Sequence, residues 1–101
     1  MITKFLNKKV IVRGIDSGVF FGTLEAKEGS EVLLNNCRRL WYWDGAASIS
    51  ELATNGVTNP NLCKFTVAVE SIVVTDVIEI IPCTDVSIKN IEGVSIWKMS
   101  Q

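Results

Sequence analysis

Histidine is absent from the 101-residue sequence. It is the commonest general base in enzymes and the usual partner of a nucleophilic serine or cysteine, and it is also the commonest metal ligand. The glycine-rich phosphate loop ending in Gly-Lys-Ser/Thr and the G-x-G-x-x-G fingerprint are absent as well. The eleven carboxylates are spread singly along the chain, with no spacing typical of an acid–base pair. We therefore expect a protein that is not an enzyme and holds neither a cofactor nor a metal.

Cysteine is scarce, and long apolar runs are missing. The three cysteines, Cys37, Cys63 and Cys83, show no C-x-x-C spacing, which indicates small buried side chains in a reducing compartment. No apolar run approaches the roughly 18 residues that a membrane span needs. The apolar part of the N-terminal stretch is too short, and polar residues follow too early, for a signal peptide. We expect a cytoplasmic protein that does not bind membranes.

Charge of one sign is not in excess, but apolar residues are abundant. The formal net charge of −1 gives no general attraction to nucleic acid, which is therefore an unexpected partner. Hydrophobic residues make up 48% of the chain, and the mean hydropathy of +0.29 is high for one small domain covering residues 1–101. We expect a homo-oligomer in which another subunit covers part of this apolar surface.

Alternating apolar and polar residues predict β-strands along most of the chain. One face of the second strand carries Phe21 and the other carries Phe20 and Leu24. A break or bulge is expected at Asn35-Asn36, and the apolar run that ends before Pro82 suits one or two strands buried on both faces. The strands are expected over residues 8–13, 19–26, 31–34, 38–43, 63–69, 72–81 and 94–98.

Two helices are expected between these strands. Ser48 and Glu51 fit a capping box, in which each side chain bonds the other's free backbone N–H, although Asp44 is an alternative N-cap. Asn55-Gly56 should end this helix. Thr84-Asp85 fits the start of a short helix through Ile91, with a plain loop as the alternative. The fold class is therefore α+β, mostly antiparallel, as a small barrel or curved sheet with one or two short helices.

An unusual stretch, Arg-Arg-Leu-Trp-Tyr-Trp-Asp-Gly-Ala-Ala-Ser, runs from Arg38 to Ser48. On a strand, Arg39, Trp41 and Trp43 share one face, with Arg38 on the other. An indole stacks on nucleobases, and a guanidinium binds phosphate with a planar fork of donors. The small residues that follow leave backbone amides open near a helix start, where an anion is favoured, although Asp44 can itself fill that position.

These residues predict a site for a small nucleotide-like ligand. Arg13 would join it if the first and third strands were neighbours. A core or a subunit interface is the alternative interpretation, compatible with the first, because tryptophan, tyrosine and arginine are also typical of protein–protein hot spots. The candidate ligand-binding residues are Arg38, Arg39, Trp41, Trp43 and Arg13.

Residues 9–39 resemble the opening strands of Sm-like and SH3-like small barrels. The similarity lies in a Val-x-Val strand followed by Gly-Val-Phe-Phe-Gly-Thr-Leu-Glu and a turn that leads to the apolar Val-Leu-Leu. Such folds often form rings and bind RNA or peptides. The resemblance therefore implies an RNA- or peptide-binding module as an alternative function.

A second resemblance covers nearly the whole chain. The stretches Arg-Arg-Leu-Trp-Tyr-Trp-x-Gly-Ala-Ala-Ser and Cys-Lys-Phe-x-Val-Ala-Val are similar to an uncharacterised family of small tailed-phage and prophage proteins. This resemblance implies an accessory protein in the bacterial host cytosol. In size, apolar excess and clustered arginine and tryptophan, the chain is also similar to phage proteins that sequester nucleotide immune signals. We thus expect a non-catalytic binder of that kind, with a virion or assembly component as another alternative.

Overall fold

The computed structural model describes residues 3–99 and has the expected α+β class. Two short 3-10 helices, at Thr3–Phe5 and Pro60–Leu62, accompany the regular elements. The strands and helices are β1 (Lys9–Gly14), β2 (Val19–Glu28), β3 (Glu31–Tyr42), α1 (Ile49–Asn55), β4 (Lys64–Phe65), β5 (Val69–Val74), β6 (Val77–Pro82) and α2 (Asp85–Glu92). None of the helices in the described part of the chain is long and apolar enough to cross a membrane.

The six strands form one antiparallel sheet that must curl. Its order is β4-β3-β2-β1-β6, and β5 pairs with β3 beside β4. In a flat sheet β5 and β6 would lie four strand spacings apart, or roughly 19 Å. Only Thr75 and Asp76 connect them, and the three Cα–Cα steps from Val74 to Val77 span at most about 11 Å. The connection therefore bends the sheet into a small barrel-like shape.

The two faces of the curled sheet carry separate hydrophobic clusters, as the alternation of Phe20 and Phe21 predicts. The face that neither α1 nor α2 covers, and that the curl encloses, is lined by the buried residues Val10, Val12, Phe20, Leu24, Val32, Leu34, Cys37 and Val74. The other face packs against both helices through Ile11, Phe21, Leu40, Leu52, Ala53, Val57, Phe65, Ile91 and Val94.

Strand β3 is continuous through the bulge that Asn35-Asn36 predicts. Asn36 has a φ of 50°, and the register of β3 against β2 shifts at this point. Gly22 lies opposite the bulge, where an added Cβ would be 3.0 Å from the Asn35 carbonyl oxygen. A side chain on the neighbouring strand would therefore be crowded against the bulge.

Two strand predictions are wrong in extent, and a third, which allowed two strands, is wrong only in burial. The strand expected over residues 63–69 is reduced to the two residues of β4. The Arg39 N–H donates to the Thr66 hydroxyl at 2.9 Å instead of to the Thr66 carbonyl, so the backbone ladder stops there. Residues 94–98 form no strand and make a single bridge between Ile96 and Phe65, since β4 is so short. The run over residues 72–81 divides into β5 and β6. Their outward side chains are exposed, so the run is not buried on both faces.

Both helix starts contain the expected caps. The Ser48 hydroxyl accepts the Glu51 N–H at 3.1 Å, but the Glu51 carboxylate accepts from Ala47 at 2.6 Å rather than from Ser48. Thr84 accepts the Ser87 N–H at 3.1 Å, so a helix rather than a loop follows it.

Candidate functional site

Arg38 lies under the helix-covered face, where its exposed fraction is only 7%. Each of its five N–H groups meets a backbone carbonyl oxygen. The Nε–H donates to Thr66 at 2.9 Å, and the Nη groups donate to Ile91 at 2.9 Å, Val94 at 3.0 Å, Phe65 at 3.1 Å and Ser95 at 3.4 Å. Burial lowers the pKa of Arg38 from its usual value. The prediction that Arg38 binds phosphate is therefore wrong, since every N–H group of its guanidinium already has a carbonyl partner.

Arg39 points to the opposite face of β3 and is partly exposed. Its Nη1 donates to the Ser17 carbonyl at 2.6 Å, and its guanidinium carbon is 4.5 Å from the Phe20 ring centroid. Beside it lies a cavity of about 70 Å³ that Cys37 also lines. Burial raises the pKa of the Cys37 thiol to about 12, so this cysteine is a packing residue and not a thiolate nucleophile.

Trp41 lies on the same face as Arg39 but beyond the end of β2, and its exposed fraction is 63%. Its indole is parallel to that of Trp97, with 6.4 Å between ring centroids and an interplanar angle of 7°. Trp97 is itself 46% exposed. Sequence analysis missed Trp97 as a site residue, because only the fold shows that the segment after α2 returns alongside β4.

Lysines flank this indole pair. The Lys64 Nζ is 5.6 Å from the Trp97 ring centroid, a distance at which ammonium and indole attract each other. Lys98 and Met99 follow Trp97 and line an open groove of about 720 Å³ together with Thr66 and Val67. We call the set Trp41, Lys64, Val67, Trp97, Lys98 and Met99 the aromatic–lysine surface.

Trp43 does not join this surface. It lies just beyond Tyr42, the last residue of β3, so the strand alternation that would align it with Trp41 has ended. Trp43 is partly buried and packs against the helix-side cluster. The expectation that Trp41 and Trp43 form one indole face is therefore wrong.

Arg13 lies elsewhere as well. Arg13 could reach the predicted ligand site only if the first and third strands were neighbours. In the structure β2 lies between β1 and β3. Its Nε donates to Glu79 on β6 at 2.7 Å, which makes an ion pair between neighbouring strands. Arg13 is thus not brought together with Trp41 or Arg39.

The backbone N–H groups after Trp43 do not form an anion-binding site. The Ala47 N–H donates to the Glu51 carboxylate, so the protein fills that position with its own charge. Gly45 has a φ of 99°, and an added Cβ there would be 2.5 Å from the Thr58 amide nitrogen. The glycine therefore serves close backbone packing rather than access for a ligand.

The lysines of the aromatic–lysine surface are not neutralised by an ion pair. Residues 3–99 contain two ion pairs, Lys9–Glu92 and Arg13–Glu79, and neither involves Lys64 or Lys98. Carboxylates flank these segments in the sequence, since Asp44 follows Trp43 and Glu70 follows Val69. The surface as defined thus carries two lysines and no carboxylate on a protein whose net charge is −1.

The fold and this surface define a small α+β protein with a curled antiparallel sheet and an exposed indole pair. The chain belongs to the family described as a domain of unknown function (DUF6948), whose sequence model matches residues 7–91. That range includes Trp41 and Lys64 but ends before Trp97. No curated protein and no solved structure matches the chain.

Proposed function

We propose that this protein is a non-catalytic binder that sequesters a small anionic nucleotide-derived ligand on the aromatic–lysine surface. Cyclic ADP-ribose and cyclic oligonucleotides belong to this ligand class. The observation that carries the proposal is the exposed, parallel pair of Trp41 and Trp97 with the Lys64 ammonium beside it.

Stacking would supply much of the binding free energy. A base stacked on an aromatic side chain contributes about 1–3 kcal/mol, and stacking suits any planar ring. Both indoles expose about half or more of their surface, so a ring can approach them without rearrangement of the core. Lys64 and Lys98 can then pair with phosphates of the same ligand.

The local charge supports an anionic ligand. Lysines near the indoles have no carboxylate partner among residues 3–99, and Arg39 and Arg38 add positive charge behind them. Because the rest of the chain is acidic, long polyanions gain less from the protein as a whole than a small ligand that touches this surface alone.

The biological role that we propose is to counteract host anti-phage signalling from within the bacterial cytosol. This step depends on the resemblance to phage and prophage proteins. A binder without catalysis acts by stoichiometry, so it must be made in amounts comparable to the signal. Stoichiometric copy number in purified phage particles, measured by mass spectrometry, would instead indicate a virion component.

Isothermal calorimetry tests the proposal directly. Cyclic ADP-ribose isomers and cyclic di- and trinucleotides are titrated into the wild-type protein, and we expect heat from at least one of them. Trp41→Ala and Trp97→Ala should each weaken that binding at least tenfold, because each removes one stacking face. Val86→Ala is the matched control, since Val86 is 65% exposed on α2 and lies outside the surface. Absence of heat from every compound at high protein concentration would contradict the proposal.

A second candidate function is RNA or peptide binding by a small barrel. The strand order β6-β1-β2-β3-β5 and the two-residue connection between β5 and β6 favour it, because they curl the sheet as the first resemblance implies. Gel shifts with single-stranded RNA distinguish the candidates. A shift that weakens steeply with salt would favour this function over sequestration of a small ligand.

A further inference from the structure

We infer that Arg38 is a positioning residue that holds Trp97 parallel to Trp41. The inference rests on the proposed function, because it explains how the indole pair is presented to a ligand. Arg38 itself is buried and does not reach the surface.

The carbonyl groups that Arg38 binds come from two stretches of the chain, residues 65–66 and residues 91–95. Phe65 ends β4 and Thr66 follows it, and Ile91 lies in the last turn of α2. Val94 and Ser95 lead directly to Trp97. One side chain on β3 thus joins β4, α2 and the segment that carries the second indole.

One acceptor couples Arg38 to Trp97 directly. The Phe65 carbonyl oxygen accepts from the Arg38 Nη2 at 3.1 Å and from the Trp97 backbone N–H at 2.8 Å. Both hydrogen bonds hold the same peptide group, so loss of the guanidinium removes one of the bonds that fix the group to which Trp97 is attached.

The arrangement requires arginine rather than any cation. Five N–H groups in a planar fork match five carbonyl oxygens, whereas the lysine ammonium has three donors on one atom. The carbonyl groups at the end of α2 also carry the negative end of the helix dipole, which favours a cation there. Arg38→Lys therefore keeps the charge and loses the geometry.

Near-ultraviolet circular dichroism measures the indole pair without any ligand. The contribution of the pair is the difference between wild type and Trp97→Phe. We expect Arg38→Lys to lose at least half of this contribution while its far-ultraviolet spectrum is unchanged, because the Arg38 side chain points to the helix-covered face and the cluster that contains Phe20 and Leu24 lies on the other face of the sheet. Arg13→Lys, which changes an arginine on β1, should keep the full signal. A folded Arg38→Lys with the wild-type signal would overturn the inference.

Hydrogen exchange on the wild-type chain tests the same point if Arg38→Lys does not fold. We expect the Trp97 amide and the Arg38 Nε–H to exchange at least a hundredfold more slowly than in an unstructured peptide. Unprotected exchange at both groups in an otherwise protected protein would overturn the inference. No ligand is used in either experiment, so failure here is distinct from failure of the calorimetry.

Discussion

At the residue scale, Arg38 and Arg39 show how neighbouring identical side chains acquire different roles. Strand alternation places Arg38 beneath α1 and α2 and Arg39 on the opposite face of the sheet. All five Arg38 N–H groups then donate to carbonyl oxygens and its guanidinium lies over the Phe65 ring, whereas Arg39 stacks on Phe20 and stays partly exposed. Of the two, only Arg39 remains available to assist a ligand on the aromatic–lysine surface.

Asp76 is the clearest case in which one carboxylate organises a loop. It accepts hydrogen bonds from the Ser17 hydroxyl at 2.5 Å, the Asp16 N–H at 2.8 Å and the Ser17 N–H at 3.0 Å. These bonds, chiefly that from the Ser17 hydroxyl, lower the pKa of Asp76 from its usual value. Because the Ser17 carbonyl accepts from Arg39, the same loop also supports Arg39.

Stability should therefore depend on the ionisation of Asp76. Its pKa is lower in the folded than in the unfolded chain, so its contribution is present above about pH 4 and is lost as the pH falls through the folded value. We expect Asp76→Asn to lower the melting temperature at pH 7 and to flatten its decline between pH 5 and pH 2. Thermal unfolding followed by circular dichroism at several pH values checks this.

The matched control is Asp16→Asn, which removes one negative charge from the same loop without touching these hydrogen bonds. It should leave the pH dependence near that of wild type. Equal pH profiles for wild type and Asp76→Asn would contradict the assignment.

At the scale of elements, one amide side chain on α2 holds the segment that follows α1. Asn90 on α2 accepts the Val57 N–H at 2.8 Å and donates to the Val57 carbonyl at 2.9 Å. This reciprocal pair follows the end of α1 at Gly56, where an added Cβ would be 2.3 Å from the Asn90 side-chain oxygen. The glycine and the asparagine thus depend on each other.

Replacement of Asn90 by alanine should cost roughly 2–4 kcal/mol of unfolding free energy. Val57 is buried, so both of its backbone groups would lose their partner away from water. Urea denaturation measures the change, with Lys89→Ala, an exposed neighbour on α2, as the control. A loss below about 1 kcal/mol would show that water replaces the Asn90 amide.

Secondary-structure features were predictable from the sequence wherever they depend on the types of a few adjacent residues. The Asn35-Asn36 bulge and the Thr84 cap each depend on local backbone preferences, and both occur in the structure. The last predicted strand failed because pairing requires a partner edge, and β4 offers only two residues. Local alternation contains no information on how long that edge is.

At the scale of the whole molecule, apolar surface remains on the folded chain. Twelve large hydrophobic side chains among residues 3–99 are exposed, including both indoles of the aromatic–lysine surface. A larger exposed apolar area than usual marks interaction surfaces in soluble proteins. These side chains agree with the homo-oligomer that the composition predicts, and the oligomer itself stays a prediction.

Native mass spectrometry checks the oligomer. We expect the mass of two or more copies of the 11.1 kDa chain, and a retained ligand would appear in the same spectrum as added mass. Light scattering after size-exclusion chromatography at micromolar concentration gives an independent mass. A single species of 11.1 kDa in both measurements would contradict the prediction.

The sequence by itself determined the α+β class, the two-faced strands, the helix caps and the lack of histidine chemistry. These features depend on residue type and on neighbours a few positions away. Only the tertiary structure decided that Arg38 is enclosed by carbonyl groups, that Arg13 pairs with Glu79, and that Trp41 meets Trp97 rather than Trp43. The physical reason is that these contacts join segments far apart in the chain, and the curl of the sheet and the path after α2 bring them together.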